Sequence, residues 1–97
     1  MKKVLIPTKL DSVAAETLKN RGYQVVQDSE TALDQLIANN QDCEALIVRS
    51  EKIGAEVIDK LPNLRCIVRA GAGYDTIDIK YARRKNIDVM NTPGANS

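Results

Sequence analysis

Five short apolar runs, each followed by a segment with helical periodicity or a polar tail, constrain the fold of this chain more than any other feature. The runs are residues 4–6, 23–26, 45–48, 66–68 and 87–90. The run at residues 45–48 is apolar at every position, which is typical of a parallel strand covered on both faces. The alternation therefore predicts an α/β sheet in which each strand is followed by a crossover helix.

The helices between these runs have recognisable start and stop signals. The first helix is predicted to run from about residue 11 or 12 to residue 20. Gly22 follows it and can take the left-handed conformation that is common at a helix C-terminus. Ser29 or Thr31 is the predicted cap of the second, and Asp78 that of the fourth. Right-handed crossovers then favour a flavodoxin-like, doubly wound five-stranded parallel sheet with strand order 2-1-3-4-5.

Composition restricts the classes of partner. The 97 residues carry a net charge of +1 and three aromatic side chains, all Tyr. This balance gives no electrostatic attraction to nucleic acid or to a membrane surface, and little means of stacking bases. No apolar run approaches the length of a membrane span. We expect a cytoplasmic chain in which Cys43 and Cys66 are inert core thiols and Met90 fills the core.

The chain contains no His. Ser-His-Asp and Cys-His catalysis and His-ligated metals are therefore excluded within these 97 residues. Any site must instead depend on Arg, Lys, carboxylates, hydroxyls and backbone N–H groups.

Candidate segments follow three of the predicted strands. The sequence PTK, residues 7–9, follows the first strand, Arg49 and Ser50 follow the third, and the sequence RAGAG, residues 69–73, follows the fourth, which is predicted to neighbour the third. In open parallel sheets, ligands bind beyond the carboxyl ends of the strands. A guanidinium, a hydroxyl and free backbone N–H groups converging there predict an anion site. Pairing of Arg49 with Glu51 or Asp75 is the structural alternative.

The glycine loop does not match a dinucleotide fingerprint. Thr76 stands where the third glycine is required, and the following strand ends in Asn91 rather than in an acidic residue. A purely structural turn, in which glycine supplies a positive φ, remains open. The position of the loop beside Arg49 favours a cradle for a small anion.

From about residue 45 to residue 97 the ordered motifs VRS, RAGAGYDTID and NTPGANS, with an Arg-Lys-x-Ile-x-Val stretch before the last, closely resemble the D-2-hydroxyacid dehydrogenases. The first 44 residues match in layout more than in residues. The resemblance implies a two-domain NAD-dependent enzyme that oxidises a substrate hydroxyl. It further implies that residues 1–97 are a portion of the substrate-binding domain, with about 91–97 leading toward a missing NAD-binding domain.

The same resemblance implies roles for particular residues. Ala72 and Gly73 would donate backbone N–H groups to the substrate carboxylate, and Gly71 would shape their turn. Arg49 and Ser50 would face the distal anion, with Asn96 also on the substrate side. No catalytic, cofactor-binding or metal-binding residue is expected in this chain, so that alone it should be inactive.

The implied partner is a small 2-hydroxy acid, best matched by 3-phosphoglycerate, and the implied longer protein is a homo-oligomer. Glu51 beside Arg49 should weaken phosphate binding, an effect that Lys52 could offset. Glycerate-, glyoxylate- or lactate-type substrates therefore stay open as alternatives. So does a self-contained flavodoxin-like module that binds a small anion.

Overall fold

The computed structural model describes residues 2–9, 12–49, 51–69 and 77–91. Strands and helices alternate strictly along these segments. They are β1 (Lys3–Ile6), α1 (Ser12–Asn20), β2 (Gln24–Gln27), α2 (Leu33–Asn39), β3 (Ala45–Val48), α3 (Ala55–Asp59), β4 (Cys66–Arg69), α4 (Ile79–Arg84) and β5 (Asp88–Asn91). The predicted strand–helix alternation is confirmed.

The strands form one parallel sheet in the order β2-β1-β3-β4-β5, as the sequence predicts. Leu5 is in register with Leu46, Leu46 with Ile67, and Ile67 with Val89. Because side chains alternate between faces along a strand, this row lies on one face of the sheet. Leu5, Leu46 and Ile67 are fully buried, so this row is the part of the core that the sheet contributes.

The core lies between that row and helices α2, α3 and α4. Leu36 and Ile37 of α2, Ile58 of α3 and Ala82 of α4 are buried in the same cluster as the row. Helix α1 instead packs against β2. Burying an aliphatic side chain of this size contributes about 1.5–3 kcal/mol. The amphipathic pattern of the helices therefore accounts for their attachment to the sheet.

Met90 does not fill the core, and that prediction is wrong. Its exposed fraction is 47%. Met90 is in register with Val68 and is adjacent along the strand to Val89, which packs against the core cluster. Side chains one residue apart on a strand point to opposite faces, and β5 is at the edge of the sheet, so Met90 lies on the less covered side.

One helix start differs from its prediction. Neither Ser29 nor Thr31 caps α2; its N-cap is Ala32, which makes no side-chain capping hydrogen bond. The carboxylate of Asp28 instead accepts the Thr31 hydroxyl at 2.7 Å and the backbone N–H groups of Glu30 and Thr31. A tight turn stabilised by Asp28 therefore competes successfully for the expected capping hydroxyl.

The other two signals hold. Asp78 caps α4 by accepting the Tyr81 backbone N–H at 3.1 Å. Gly22 has a φ of 90°, the left-handed conformation that glycine adopts without steric cost.

Candidate functional site

Arg49, the predicted site residue that lies among the described residues, is at the carboxyl end of the sheet, where β1, β3 and β4 finish. The term carboxyl end of the sheet denotes residues 7–9, 49, 51–52 and 69. Val48 is in register with Arg69, so Arg49 begins the loop directly beside the end of β4. The strand order puts β3 between β1 and β4. The fold therefore centres Arg49 at this end.

Arg49 is exposed, and two hydrogen bonds hold it. Its backbone N–H donates to Oε1 of Glu51 at 2.8 Å. Its guanidinium donates through Nη1 to the backbone carbonyl of Lys9 at 3.2 Å. The side chain thus lies toward the loop that follows β1, at the same end of the sheet.

Arg49 and Glu51, which are both described, do not form the ion pair that was the structural alternative. The carboxylate of Glu51, which is half-buried, accepts from the main chain of Arg49. The ion pairs found in the described ranges involve Lys3, Arg65 and Lys85 as their cations. The Arg49 guanidinium donates to a neutral carbonyl oxygen. The other alternative partner, Asp75, lies outside the described residues.

Two further residues at this end lie in candidate segments of the sequence but were not assigned a role in the site. Thr8, which follows β1, is 7% exposed although it is polar. Arg69, the last residue of β4, is half-buried and in register with Asn91. Arg69 is also in register with Val48, the residue before Arg49, so a second arginine ends the neighbouring strand. Its position after an apolar strand was the available signal.

The Lys9 carbonyl was also missed, because every residue carries the same carbonyl and no sequence pattern marks it. The remaining predicted site residues lie outside the described residues. They are Ser50, Gly71, Ala72, Gly73 and Asn96.

The described residues do not fit a dinucleotide cofactor such as NAD. Such cofactors place their pyrophosphate on the uncapped N-terminus of the helix after a glycine loop. Here the corresponding helix, α4, has six residues, and the carboxylate of Asp78 occupies its N-terminus. A carboxylate at that point repels a second anion. We therefore assign no role in holding NAD to the described residues of this chain.

The amino end of the sheet, formed by Lys3 and by residues 42–44, 63–65 and 85–87, contains the other cluster of charges. Lys3 lies 3.0 Å from Asp42, Arg65 lies 3.8 Å from Glu44, and Lys85 lies 3.8 Å from Asp59. An open groove of about 570 Å³ there is lined by Glu44, Asn63, Leu64, Arg65, Lys85 and Asn86, with Pro62. Its cations already have carboxylate partners.

Neither cysteine has the character of a nucleophile. Burial raises the pKa of the Cys43 thiol to about 11, and burial also raises the pKa of Cys66. Both are free thiols, protonated at neutral pH. Cys43 is buried as predicted, whereas Cys66 is half-buried. Within the described ranges no three His, Cys, Asp or Glu side chains gather as a metal site.

The helices in the described part of the chain are all too short or too polar to span a bilayer.

The family model of the D-isomer specific 2-hydroxyacid dehydrogenase catalytic domain matches residues 4–97. The chain belongs to this family. It is 46% identical over 98 residues to the D-3-phosphoglycerate dehydrogenase of Sus scrofa, an alignment that covers 100% of this chain and 18% of that protein. The chain therefore spans less than a fifth of the length of this relative.

Solved structures agree with the family. The NAD⁺-bound 3-phosphoglycerate dehydrogenase of Entamoeba histolytica has a TM-score of 0.83 and 36% identity, over 96% of this chain and 33% of that one. The NADPH-dependent glyoxylate/hydroxypyruvate reductase of Sinorhizobium meliloti has a TM-score of 0.77 and 26% identity, over 96% of this chain and 29% of that one. Of these two structures, the 3-phosphoglycerate dehydrogenase is the more similar to this chain in both sequence and fold.

Proposed function

We propose that this chain is the anion-recognition part of an NAD-dependent D-3-phosphoglycerate dehydrogenase. It would bind 3-phosphoglycerate while the hydride acceptor is held by another part of a longer protein. The 46% identity to D-3-phosphoglycerate dehydrogenase supports this choice over the glyoxylate and lactate types. In this proposal residues 1–97 are a portion of the substrate-binding domain, and about 91–97 lead toward the NAD-binding domain.

The observation that carries the proposal is the placement of Arg49 at the carboxyl end of β3. Its guanidinium is exposed and donates to a neutral carbonyl oxygen. A guanidinium has five N–H donors in a planar fork, so a bidentate contact to a phosphate is compatible with this one hydrogen bond. Such charge-assisted contacts are among the strong hydrogen bonds in proteins.

The substrate carboxylate would be held by backbone N–H groups rather than by a side chain. We assign this role to Ala72 and Gly73, with Gly71 shaping the turn, Ser50 assisting Arg49, and Asn96 on the substrate side. Backbone donors fixed before the ligand arrives orient a carboxylate without reorganisation. Two anion subsites at opposite ends of a short acid fix the position of its hydroxyl carbon.

In the longer protein NAD would supply the hydride acceptor. The residues of this chain would bind and orient the acid, and would not move its proton. The absence of His from the chain supports that division of labour. We further propose a cytoplasmic homo-oligomer, in keeping with two free thiols.

Calorimetric titration of the chain with 3-phosphoglycerate, D-glycerate and inorganic phosphate tests the proposal. We expect 3-phosphoglycerate to bind about tenfold more tightly than D-glycerate, which corresponds to one added charge-assisted contact. D-lactate, which lacks the distal oxygen as well, serves as the control. Equal affinity for 3-phosphoglycerate and D-glycerate would reject phosphate as the distal group, and no binding of any acid would reject the recognition role.

A further inference from the structure

Glu51 and Arg49 interact in a way that the sequence alone does not predict. A carboxylate two residues from a ligand-binding guanidinium would be expected either to pair with it or to repel the ligand. In the structure its Oε1 accepts the backbone N–H of Arg49 at 2.8 Å, while the guanidinium donates to the Lys9 carbonyl at 3.2 Å. The carboxylate therefore acts on the main chain of Arg49.

These two hydrogen bonds fix Arg49 at both ends. The Glu51 bond holds the backbone at the point where β3 becomes a loop, and the Lys9 bond holds the tip of the side chain against the segment after β1. An exposed arginine otherwise loses much rotamer entropy when it binds a ligand. A guanidinium held in advance loses less, and so binds more tightly.

The half-burial of Glu51 supports this role. A partly buried carboxylate requires hydrogen-bond donors, and a backbone N–H is a fixed one. The contact spans two residues, as in the turns in which shorter Asp and Asn side chains bond to the main chain two residues away. Glu51 is thus an integral part of the loop that presents Arg49.

We infer that Glu51 is a positioning residue for Arg49: its carboxylate fixes the backbone of residue 49 so that the guanidinium, held by the Lys9 carbonyl, faces the anionic end of the ligand. The inference rests on the proposed function, because it takes 3-phosphoglycerate as that ligand. It reverses the expectation that Glu51 weakens phosphate binding.

Two substitutions separate the positioning effect from the charge. Glu51→Gln removes the charge but keeps a side-chain oxygen that can accept the Arg49 N–H, whereas Glu51→Ala removes both. Glu56→Ala is the matched control, since it removes an exposed carboxylate from the nearby first turn of α3. Each variant is titrated with 3-phosphoglycerate by calorimetry.

We expect Glu51→Ala to weaken binding about tenfold and Glu51→Gln to stay within about threefold of the wild type. In an Arg49→Ala background, Glu51→Ala should have no further effect on affinity. Tighter binding by both Glu51 variants would overturn the inference in favour of simple charge repulsion. Equal weakening by Glu51→Ala with and without Arg49 would overturn it as well.

A ligand-free measurement keeps the two proposals distinguishable. Amide hydrogen exchange at Arg49 should accelerate in Glu51→Ala and remain slow in Glu51→Gln. If the wild type binds no 3-phosphoglycerate but this exchange pattern is found, the proposed function fails and the hydrogen bond between Glu51 and Arg49 stands. If the wild type binds and exchange at Arg49 is unchanged in Glu51→Ala, the positioning role fails and the proposed function stands.

Discussion

At the amino end of the sheet, Lys3, Arg65 and Lys85 each lie within 3.0–3.8 Å of a carboxylate, whereas at the carboxyl end Arg49 donates to a main-chain oxygen. A cation next to a carboxylate has part of its charge compensated, which weakens its attraction for an outside anion. A guanidinium held by a neutral oxygen keeps its full charge. The partner of each cation, more than its exposure, is thus the reason why we propose the carboxyl end as the site of anion recognition.

The largest effect that tests this comparison is on ligand affinity. Arg49→Ala should weaken 3-phosphoglycerate binding by about thirtyfold, as expected for loss of a charged hydrogen-bonding group. Arg65→Ala, which removes the same charge at the amino end, should leave the affinity unchanged, since the Arg65 side chain is 81% exposed and faces Glu44. Calorimetry on both variants measures the difference. Similar losses in the two variants would contradict the comparison.

The next effect concerns stability at the amino end. Asn40 is 7% exposed, donates to the Leu36 carbonyl at 2.8 Å and accepts from Nζ of Lys3 at 3.3 Å. Asn40→Ala should lower the free energy of unfolding by about 1–3 kcal/mol, because it leaves a buried carbonyl without its donor. Urea denaturation measures this.

The exposed neighbour Asn39 provides the control for that substitution. Asn39→Ala should change the free energy of unfolding by less than about 0.5 kcal/mol, and neither variant should alter affinity for 3-phosphoglycerate. Weaker binding by Asn40→Ala would mean that the amino end takes part in recognition.

A smaller effect on stability is expected for Asp78, the carboxylate that caps the N-terminus of α4. Asp78→Ala should lower the free energy of unfolding by about 1 kcal/mol, because the Tyr81 backbone N–H loses its cap. Asp78→Asn, which keeps a capping oxygen, should be close to the wild type in urea denaturation. A loss as large in Asp78→Asn as in Asp78→Ala would show that charge, and not the cap, stabilises α4.

The smallest expected effects are on the stability of the protein at acidic pH. A hydrogen bond from the Thr31 hydroxyl lowers the pKa of Asp28, and one from Lys3 lowers the pKa of Asp42. Since both folded pKa values lie below the unfolded value, their contribution to stability is complete above about pH 4 and is lost as the pH falls through the folded values. Asp42→Asn should therefore flatten part of the decline in urea midpoint as the pH falls below about 4. An unchanged decline would contradict a stabilising Lys3–Asp42 contact.

The sequence predicted the sheet well because its signals are redundant. Five apolar runs and the cap at Asp78 indicate the same alternation of strands and helices, and the right-handed crossover rule favours the strand order that the structure has. Predictions failed where two local interactions compete for the same hydroxyl, and where a residue lies on an edge strand. Asp28 takes the hydroxyl of Thr31 from the predicted cap, and the edge strand leaves Met90 exposed.

The contacts of the candidate site could be predicted only in part. Arg49 follows a buried strand, and the family pattern assigns it to the ligand. Its bond to the Lys9 carbonyl joins residues 40 positions apart through a group that every residue has, so no sequence pattern reveals it. The roles of Ser50, Gly71, Ala72, Gly73 and Asn96 stay predictions.

A map of amide chemical-shift changes on titration with 3-phosphoglycerate tests most directly which end of the sheet recognises the anion. We predict that the largest changes fall on Lys9, Arg49, Ala72 and Gly73. The groove at the amino end, with Asn63, Arg65 and Asn86, should be unaffected. Changes concentrated in that groove, with none at Arg49, would contradict the assignment of the carboxyl end as the site of anion recognition.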